Sequence, residues 1–236
     1  RALLEDVEEG SFNIGGDSLK QKNNRVKLNV IEVSGVHRAL DNVKHYTEDT
    51  KGADKMVTLK KILGQYEKKK FQTMIFCNSV NSSRAVQYAL NENGIEATSY
   101  HGELNSRERT ANIQDFRDGV QQYLVCTDLA ARGLDIPEID HVIIFDFPLN
   151  PIDYLHRSGR CGRMGRNGIV TSILQKRDRV LSGAIQAAIA KGLPLDSLTA
   201  SKRDYQPGRK LGTVMMKAKS KKEKSWSKSK EAKKQE

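Results

Sequence analysis

Short apolar segments alternate with helical patterns through the middle of this 236-residue chain, and this alternation limits the folds that it can adopt. Apolar and β-branched residues predict five strands, at residues 73–77, 95–100, 122–127, 141–147 and 169–174. Apolar residues at helical spacing predict helices at residues 80–93, 106–117, 151–163 and 177–191. Mostly apolar strands that alternate with helices are typical of a parallel sheet with helices on both faces. The sequence therefore predicts the α/β class.

The residues that follow each predicted strand are the first candidates for a functional site. Ligands of open α/β sheets gather at the carboxyl ends of the strands. Polar residues and glycines follow the strands at residues 78–79, 101–102, 127–135 and 148–163. We expect the chemistry of the protein to lie in these four segments.

The positive charge of the chain is concentrated at its C-terminus. The whole chain has 40 Lys and Arg against 29 Asp and Glu, a formal net charge of +11. Residues 202–236 alone contain 13 Lys and Arg against 4 Asp and Glu, and almost no apolar residues. This composition predicts a nearly balanced globular part, a disordered basic tail and an anionic partner.

Several classes of protein are disfavoured by the sequence. No apolar run approaches the roughly 20 residues of a membrane span, and the first residues lack the pattern of a signal peptide. Cys77, Cys126 and Cys161 are widely spaced, which argues against a disulfide framework and a zinc site, so we expect no metal ligands here. These features indicate an intracellular protein.

The segment HRSGRCGR (156–163) suits the capture of a polyphosphate. On a helix, His156, Arg160 and Arg163 share one face, and the intervening glycines keep the surface low. The guanidinium fork matches phosphate geometry. The alternative is a solvated basic face on which Asp153 and Arg157 form an ordinary i,i+4 pair.

The segment TDLAARGLD (127–135) follows a buried strand, where a rigid scaffold positions a polar loop. The alternative is a capping loop in which Thr127 or Asp128 is the N-cap and Gly133 makes a turn. The residues alone favour neither interpretation.

Five motifs occur in an order that resembles a known family: MIFCNS (74–79), YHGELNSRER (100–109), FRDG (116–119), TDLAARGLD (127–135) and HRSGRCGR (156–163). Together they resemble the second RecA-like domain of a DEAD-box ATP-dependent RNA helicase, over about residues 36–200. The histidine at 156 favours this group over related helicases with glutamine there. The segments around NPIDYLHRSGR and LPLDSLTAS are most similar to plant-type and organellar members linked to ribosome assembly.

The resemblance implies roles for residues at the nucleotide. Arg160 and Arg163 match the arginines that reach the ATP phosphates, and Arg163 resembles the finger that stabilises the transferring phosphoryl group. Asp135 matches the residue that meets the ribose of ATP. His156 matches the group that links to the acidic motif of the partner domain.

The resemblance also implies residues that hold the RNA sugar-phosphate backbone: Asn78, Gly102, Arg109, Thr127, Arg132 and Gly133. Contacts of this kind bind RNA independently of its sequence. Ser106 departs from the family, which often has glutamine there, so the side chain that orients Arg109 is expected to differ.

Other parts of such a helicase are missing from the sequence. It contains neither a G-x-x-x-x-G-K-[ST] loop nor an Asp-Glu-Ala-Asp motif. The phosphate cradle, the Mg²⁺ ligands and the catalytic base belong to the first RecA-like domain of the family. We therefore expect residues 1–50 to be the remnant of that domain and its linker, 51–200 the second domain and 201–236 the tail. Alone, this chain is expected to be inactive.

The leading interpretation is the C-terminal half of an ATP-dependent RNA helicase that clamps and locally unwinds RNA, with ribosomal RNA maturation or ribosome assembly as its setting. The alternative is a non-catalytic RNA-binding module that docks on a ribonucleoprotein particle. A DNA helicase half is disfavoured by His156. The tail is expected either to tether RNA, with Trp226 stacked on a base, or to act only as a solubilising end. For the compartment, an organelle (chloroplast or mitochondrion) is expected, with the nucleolus or cytoplasm as alternatives.

Overall fold

A parallel sheet of six strands organises the chain in a computed structural model that describes residues 37–128 and 139–199. The strands are β1 (Val43–Asp49), β2 (Thr73–Cys77), β3 (Ala97–Tyr100), β4 (Tyr123–Thr127), β5 (His141–Ile144) and β6 (Gly168–Leu174). Their order across the sheet is β1-β6-β5-β2-β4-β3, and every neighbouring pair is parallel. The predicted α/β class and the five predicted strands are confirmed.

Helices connect the strands and begin at side-chain caps. They are α1 (Lys55–Tyr66), α2 (Val80–Glu92), α3 (Ser106–Arg117), α4 (Pro151–Ser158) and α5 (Arg179–Ala190). Each of the first four helices is preceded by a polar residue whose side chain accepts a hydrogen bond from a main-chain N–H of the first turn. These residues are Asp54, Ser79, Asn105 and Asn150. No helix in the described part of the chain is long and apolar enough to cross a membrane.

The apolar core lies on both faces of the sheet. Met74 and Phe76 of β2 belong to one buried cluster, and Ile75 and Cys77 belong to the other. Successive residues of a strand point to opposite faces, so a strand that is apolar throughout requires cover on both sides. Cys77, Cys126 and Cys161 are all buried free thiols. Burial raises the pKa of Cys77 to about 12, which keeps this thiol protonated.

Strand β1 lies within the segment that the sequence assigned to the linker. It pairs with β6 along its whole length, from Val43 opposite Gly168 to Asp49 opposite Leu174. Only Val43 of its seven residues is buried, and the strand is mostly polar, so the sequence analysis had no apolar run to recognise. The sheet therefore begins before residue 51, at Val43. The predictions for residues 1–36 and for the tail lie outside the described residues.

The helix predicted over residues 151–163 ends earlier, at Ser158, and this prediction was wrong. The Gly159 N–H closes the last turn onto Leu155 O at 2.9 Å, and Cys161 then forms an isolated parallel bridge with Ile139. Gly162 has φ +72°, which a continuing helix cannot contain. We call residues 159–167 the arginine loop, since they carry Arg160 and Arg163 between α4 and β6.

We expect the substitution Gly162→Ala to destabilise the domain by roughly 2–5 kcal/mol. A Cβ atom at Gly162 would lie 2.3 Å from Cγ2 of the buried Val43, and the positive φ adds strain to any L side chain. Urea unfolding of the chain measures the effect. The matched control is Gly183→Ala in α5, where a Cβ meets no atom within 4 Å and the helix gains about 1 kcal/mol. Equal stability of the two variants would contradict this account of the loop.

Two buried histidines make the stability depend on pH. Burial lowers the pKa of His45 and of His141 from 6.5 to about 4. Between these values the unfolded chain binds more protons than the folded chain, so the stabilisation present above pH 6.5 is lost as the pH falls towards 4. We expect the free energy of unfolding to fall by about 1.4 kcal/mol per pH unit for each histidine. Urea unfolding at several pH values measures the slope, and His45→Gln should lower the slope by the contribution of one histidine. A free energy of unfolding that does not change between pH 6.5 and pH 4 would contradict the prediction.

Candidate functional site

Asn78 and Thr127 lie side by side at the carboxyl edge of the sheet. Thr127 is the last residue of β4 and is paired with Cys77, which directly precedes Asn78 at the end of β2. Gly102 follows β3, the next strand along this edge. The structure therefore brings three of the predicted RNA-binding residues to one edge, across β2, β4 and β3.

Gly102 and Arg109 are accessible at this edge. Gly102 is exposed, and no atom lies within 4 Å of the place where a Cβ would stand, so its main chain is open to a ligand. Arg109 lies near the N-terminus of α3 and is half-buried. Asn105 caps this helix: its side chain accepts from the Glu108 N–H at 2.8 Å, and Glu108 accepts from the Asn105 N–H at 3.2 Å. The cap fixes the direction in which α3 leaves the edge.

Arg157 is the functional residue that the sequence analysis missed. Its side chain is only 2% exposed, although Arg157 was expected at most to pair with Asp153 on the surface. It donates to both carboxylate oxygens of Asp128, at 2.7 and 2.6 Å, to Asn78 Oδ1 at 2.5 Å and to the main-chain oxygen of Asp146 at 2.5 Å. One guanidinium thus joins the ends of three neighbouring strands, β4, β2 and β5.

A second buried ion pair lies beside Arg157. Lys55, at the start of α1, donates to the Asp146 carboxylate and to the main-chain oxygen of Phe145, the latter at 3.1 Å. The same carboxylate accepts from Ser82 Oγ at 2.5 Å and from the Asn78 N–H at 3.1 Å. Burial by itself would raise the pKa of Asp146, but these hydrogen bonds outweigh it and hold the pKa below its usual value.

These contacts fix the orientation of Asn78. Its Oδ1 accepts from Arg157, and its Nδ2 donates to the main-chain oxygen of Phe147 at 3.0 Å. The two ion pairs together hold Asn78 and Asp128 without a net charge. The carboxyl edge is therefore a preorganised polar surface rather than a set of mobile side chains.

Arg160 and Arg163 lie in the arginine loop, and His156 lies on α4. Arg160 Nε donates to His156 O at 3.3 Å, and Arg163 Nε donates to Gly159 O at 3.0 Å. Each arginine thus curls back onto a carbonyl four residues earlier. His156 and Arg163 are exposed, and Arg160 is half-buried. The three residues do not share one helix face as predicted, because α4 has ended before Arg160.

The two arginines form a positively charged pair. Burial, and after it the charge of Arg163, lower the pKa of Arg160. Neither guanidinium forms an ion pair with a carboxylate of residues 37–128 or 139–199. Two like charges held together without such a counterion favour the binding of a polyanion.

The main chain of the arginine loop passes the amino ends of β5 and β6. Cys161 bridges Ile139, two residues before β5 begins, and the loop ends where β6 begins at Gly168. Arg160 and Arg163 lie within the predicted segment 148–163, and their side chains turn back towards the end of α4. Helix α4, whose eight residues span about 12 Å, connects the two groups. Arg132, Gly133 and Asp135 lie outside the described residues, so their predicted roles stay predictions.

Comparison with known proteins identifies the domain. The family model "Helicase conserved C-terminal domain" matches residues 54–165. The structure of E. coli DEAD-box protein SrmB bound to regulator of ribonuclease activity A matches with a TM-score of 0.54 and 33% identity, covering 61% of this chain and 84% of that one. S. cerevisiae Dbp5 bound to RNA and ADP BeF3 matches with a TM-score of 0.60 and 31% identity, over 69% of this chain and 42% of that one.

The chain belongs to the DEAD-box family. Among curated relatives, DEAD-box ATP-dependent RNA helicase 39 of Arabidopsis thaliana is 44% identical over 172 residues, which are 72% of this chain and 28% of the relative. The chain thus spans about a quarter of the length of such DEAD-box relatives and matches their C-terminal RecA-like domain. The similarity to organellar members remains a prediction.

Proposed function

We propose that this chain is the C-terminal half of an ATP-dependent RNA helicase in which the arginine loop binds ATP phosphates and the carboxyl edge binds RNA. The observation that carries the proposal is the pair of arginines, Arg160 and Arg163, held by main-chain carbonyls beyond the end of α4. S. cerevisiae Dbp5, which matches this fold, is a protein whose structure contains RNA and ADP BeF3.

At the arginine loop, the chain would supply positive charge to the transferring phosphoryl group. Arg163 is exposed, and its Nε is bound to Gly159 O, so the rest of its guanidinium can turn outward towards a phosphate on a facing domain. Arg160, half-buried behind it, would bind the same phosphate chain. Charge placed before the reaction needs no reorganisation when negative charge develops on the phosphate oxygens.

ATP would require groups that the described residues do not provide. Within residues 37–128 and 139–199, no three His, Cys, Asp or Glu side chains cluster as ligands for a metal. The sequence resemblance implies that the first RecA-like domain of the family holds Mg²⁺, along with the phosphate cradle and the catalytic base. His156, exposed on α4, would meet the acidic motif of that domain.

At the carboxyl edge, the chain would hold RNA by its backbone. Gly102 offers an accessible main chain, Arg109 offers a guanidinium, and Thr127 offers a hydroxyl at the end of β4. Such groups contact phosphate and 2′-OH without reading bases, so binding would be independent of sequence.

Helix α4 and Arg157 would couple the two ligands. Arg157 lies on the same helix as His156, and its guanidinium binds Asp128 and Asn78 at the RNA edge. A ligand that contacts both RecA-like domains binds their closed arrangement more tightly than their open one, and this difference in affinity favours closure. Closure of the domains on RNA would bend one strand and part a short duplex locally, and ATP hydrolysis would release it.

The proposal is tested on the natural protein that contains these residues. ATP hydrolysis is measured with and without single-stranded RNA, together with separation of a short RNA duplex. We expect hydrolysis to be stimulated by RNA and strand separation to require ATP. RNA binding without any ATP turnover would instead support the non-catalytic module. Ribosomal RNA as the target and an organelle as the compartment are proposed from the sequence resemblance alone.

Removal of the basic tail is expected to weaken the salt dependence of RNA binding. Residues 202–236 carry 13 Lys and Arg against 4 Asp and Glu. Each phosphate that the tail neutralises adds about 0.7 to the slope of log affinity against log salt for a single strand. The slope is measured by titrating single-stranded RNA at several salt concentrations. Trp226→Ala is the control and should lower the affinity for RNA without changing the slope. If deletion of residues 202–236 does not change the slope, the tail does not bind RNA and acts only as a solubilising end.

A further inference from the structure

Asn42 joins the start of β1 to both ends of the turn that carries Arg163. Its side-chain Nδ2 donates to Gly162 O at 2.7 Å and also to Arg166 O. Its main-chain oxygen accepts from the Gly168 N–H at 3.0 Å, where β6 begins. One residue that lies 120 positions away from Gly162 in the sequence therefore brackets residues 162–166.

The bracketed turn requires such support because its main chain is unusual. Gly162, Met164 and Gly165 all have positive φ, of +72°, +55° and +77°. A side chain other than glycine is strained in this region, and Met164 is fully exposed, so it gains no packing in return. Within the turn, the Arg166 N–H donates to Arg163 O at 3.1 Å. The two side-chain bonds from Asn42 tie both ends of this strained turn to the start of β1.

Resting on the function proposed above, we propose that Asn42 is a positioning residue for ATP hydrolysis: it fixes the arginine loop in the conformation that presents Arg163. Asn42 does not itself face the phosphate. It acts through the carbonyls of Gly162 and Arg166, on either side of Arg163. A misplacement of about 1 Å in a group that stabilises a transition state can lower the rate about 100-fold.

The two hydrogen bonds from Asn42 to the main-chain oxygens of Gly162 and Arg166 require a side-chain NH₂ group. The NH₂ group of Asn42 has two hydrogens and serves two carbonyl oxygens. A carboxylate of the same shape has no hydrogen to donate and would repel both oxygens. Asn42→Asp is therefore the sharpest substitution, because it changes the donor while keeping the size of the side chain.

The test measures kcat and KM for ATP, RNA affinity and the thermal midpoint in the natural protein with Asn42→Asp. We expect kcat of RNA-stimulated hydrolysis to fall about 10- to 100-fold, while RNA affinity is retained. The matched control is Asn93→Asp, since Asn93 Nδ2 also donates to a main-chain carbonyl, Ala89 O at 2.7 Å, but does so at the end of α2. The control should retain kcat even if both variants lose the same thermal stability.

The outcomes separate this inference from the proposed function. If the unsubstituted protein has RNA-stimulated turnover and Asn42→Asp has the same kcat as Asn93→Asp, the positioning role is overturned and the helicase function stands. If the unsubstituted protein hydrolyses no ATP, the proposed function fails and the inference fails with it. If Asn42→Asp does not fold, Asn42→Ala is measured in its place. A folded Asn42→Ala with normal kcat, or failure of both variants to fold, also overturns the positioning role.

Discussion

Replacement of Arg163 by alanine is expected to reduce ATP turnover about 10³- to 10⁵-fold in the natural protein. The substitution removes the exposed guanidinium that would stabilise charge on the transferring phosphoryl group. The fold should persist, because Arg163 is exposed and its one side-chain hydrogen bond within residues 37–128 and 139–199 is to Gly159 O. Steady-state ATP hydrolysis at saturating RNA measures the loss. RNA affinity should change little, since Asn78, Gly102 and Thr127 follow the carboxyl ends of β2, β3 and β4, whereas Arg163 lies in the loop that leads into β6.

The matched control for Arg163→Ala is Arg177→Ala. Arg177 is also an exposed arginine, 68% accessible, and pairs with Asp178 outside both groups of site residues. Its removal changes the net charge by the same amount and should leave turnover unchanged. Near-normal turnover in Arg163→Ala would show that the arginine loop does not act on the nucleotide and would remove the central support for the proposed function.

Replacement of the buried Arg157 by methionine is expected to lower the free energy of unfolding by about 3–5 kcal/mol. The substitution fills a similar volume but leaves the carboxylate of Asp128, Oδ1 of Asn78 and a main-chain oxygen without their donor. Loss of one partner from such a pair costs more than the net value of the pair, because the half-buried Asp128 carboxylate and the two other acceptors lose their donor. Urea unfolding of the chain measures the change.

Two further variants give this prediction its specificity. Arg157→Lys keeps the positive charge, but a lysine ammonium lacks the planar fork that lets arginine bind several acceptors at once. Most of the loss in the free energy of unfolding should therefore remain in this variant. Arg84→Ala breaks an exposed ion pair with Glu103, at 2.9 Å, and should cost less than about 1 kcal/mol. A loss for Arg157→Met no larger than that for Arg84→Ala would contradict the role assigned to Arg157.

The sequence predicted the strands well because their signal is local. Residues 73–77 and 122–127 are apolar almost without interruption, and a strand buried on both faces needs such a run whatever its neighbours are. β1 was missed for the same reason: it lies at an end of the sheet order, and only its first residue, Val43, is buried, so it has no apolar run. Its pairing with β6, rather than its residue types, makes it a strand.

The end of α4 shows where a local signal was misread. The spacing of His156, Arg160 and Arg163 fits a helix, and the glycines between them were interpreted as keeping the surface of that helix low. The run of Gly159, Gly162 and Gly165 is itself the signal of a break, since two of the three have positive φ. The three basic side chains remain close in sequence, but α4 positions His156 and the arginine loop positions Arg160 and Arg163.

Sequence alone determined the fold class, the motifs of a DEAD-box C-terminal domain and most of the candidate residues, because these depend on residue type and spacing along the chain. Tertiary structure decided which polar groups meet. Arg157 finds Asp128 and Asn78 because β4 and β2 end side by side with parallel register. Asn42 finds the arginine loop because β1 pairs with β6. Strand order is set by packing over the whole sheet, so no local pattern contains these pairings.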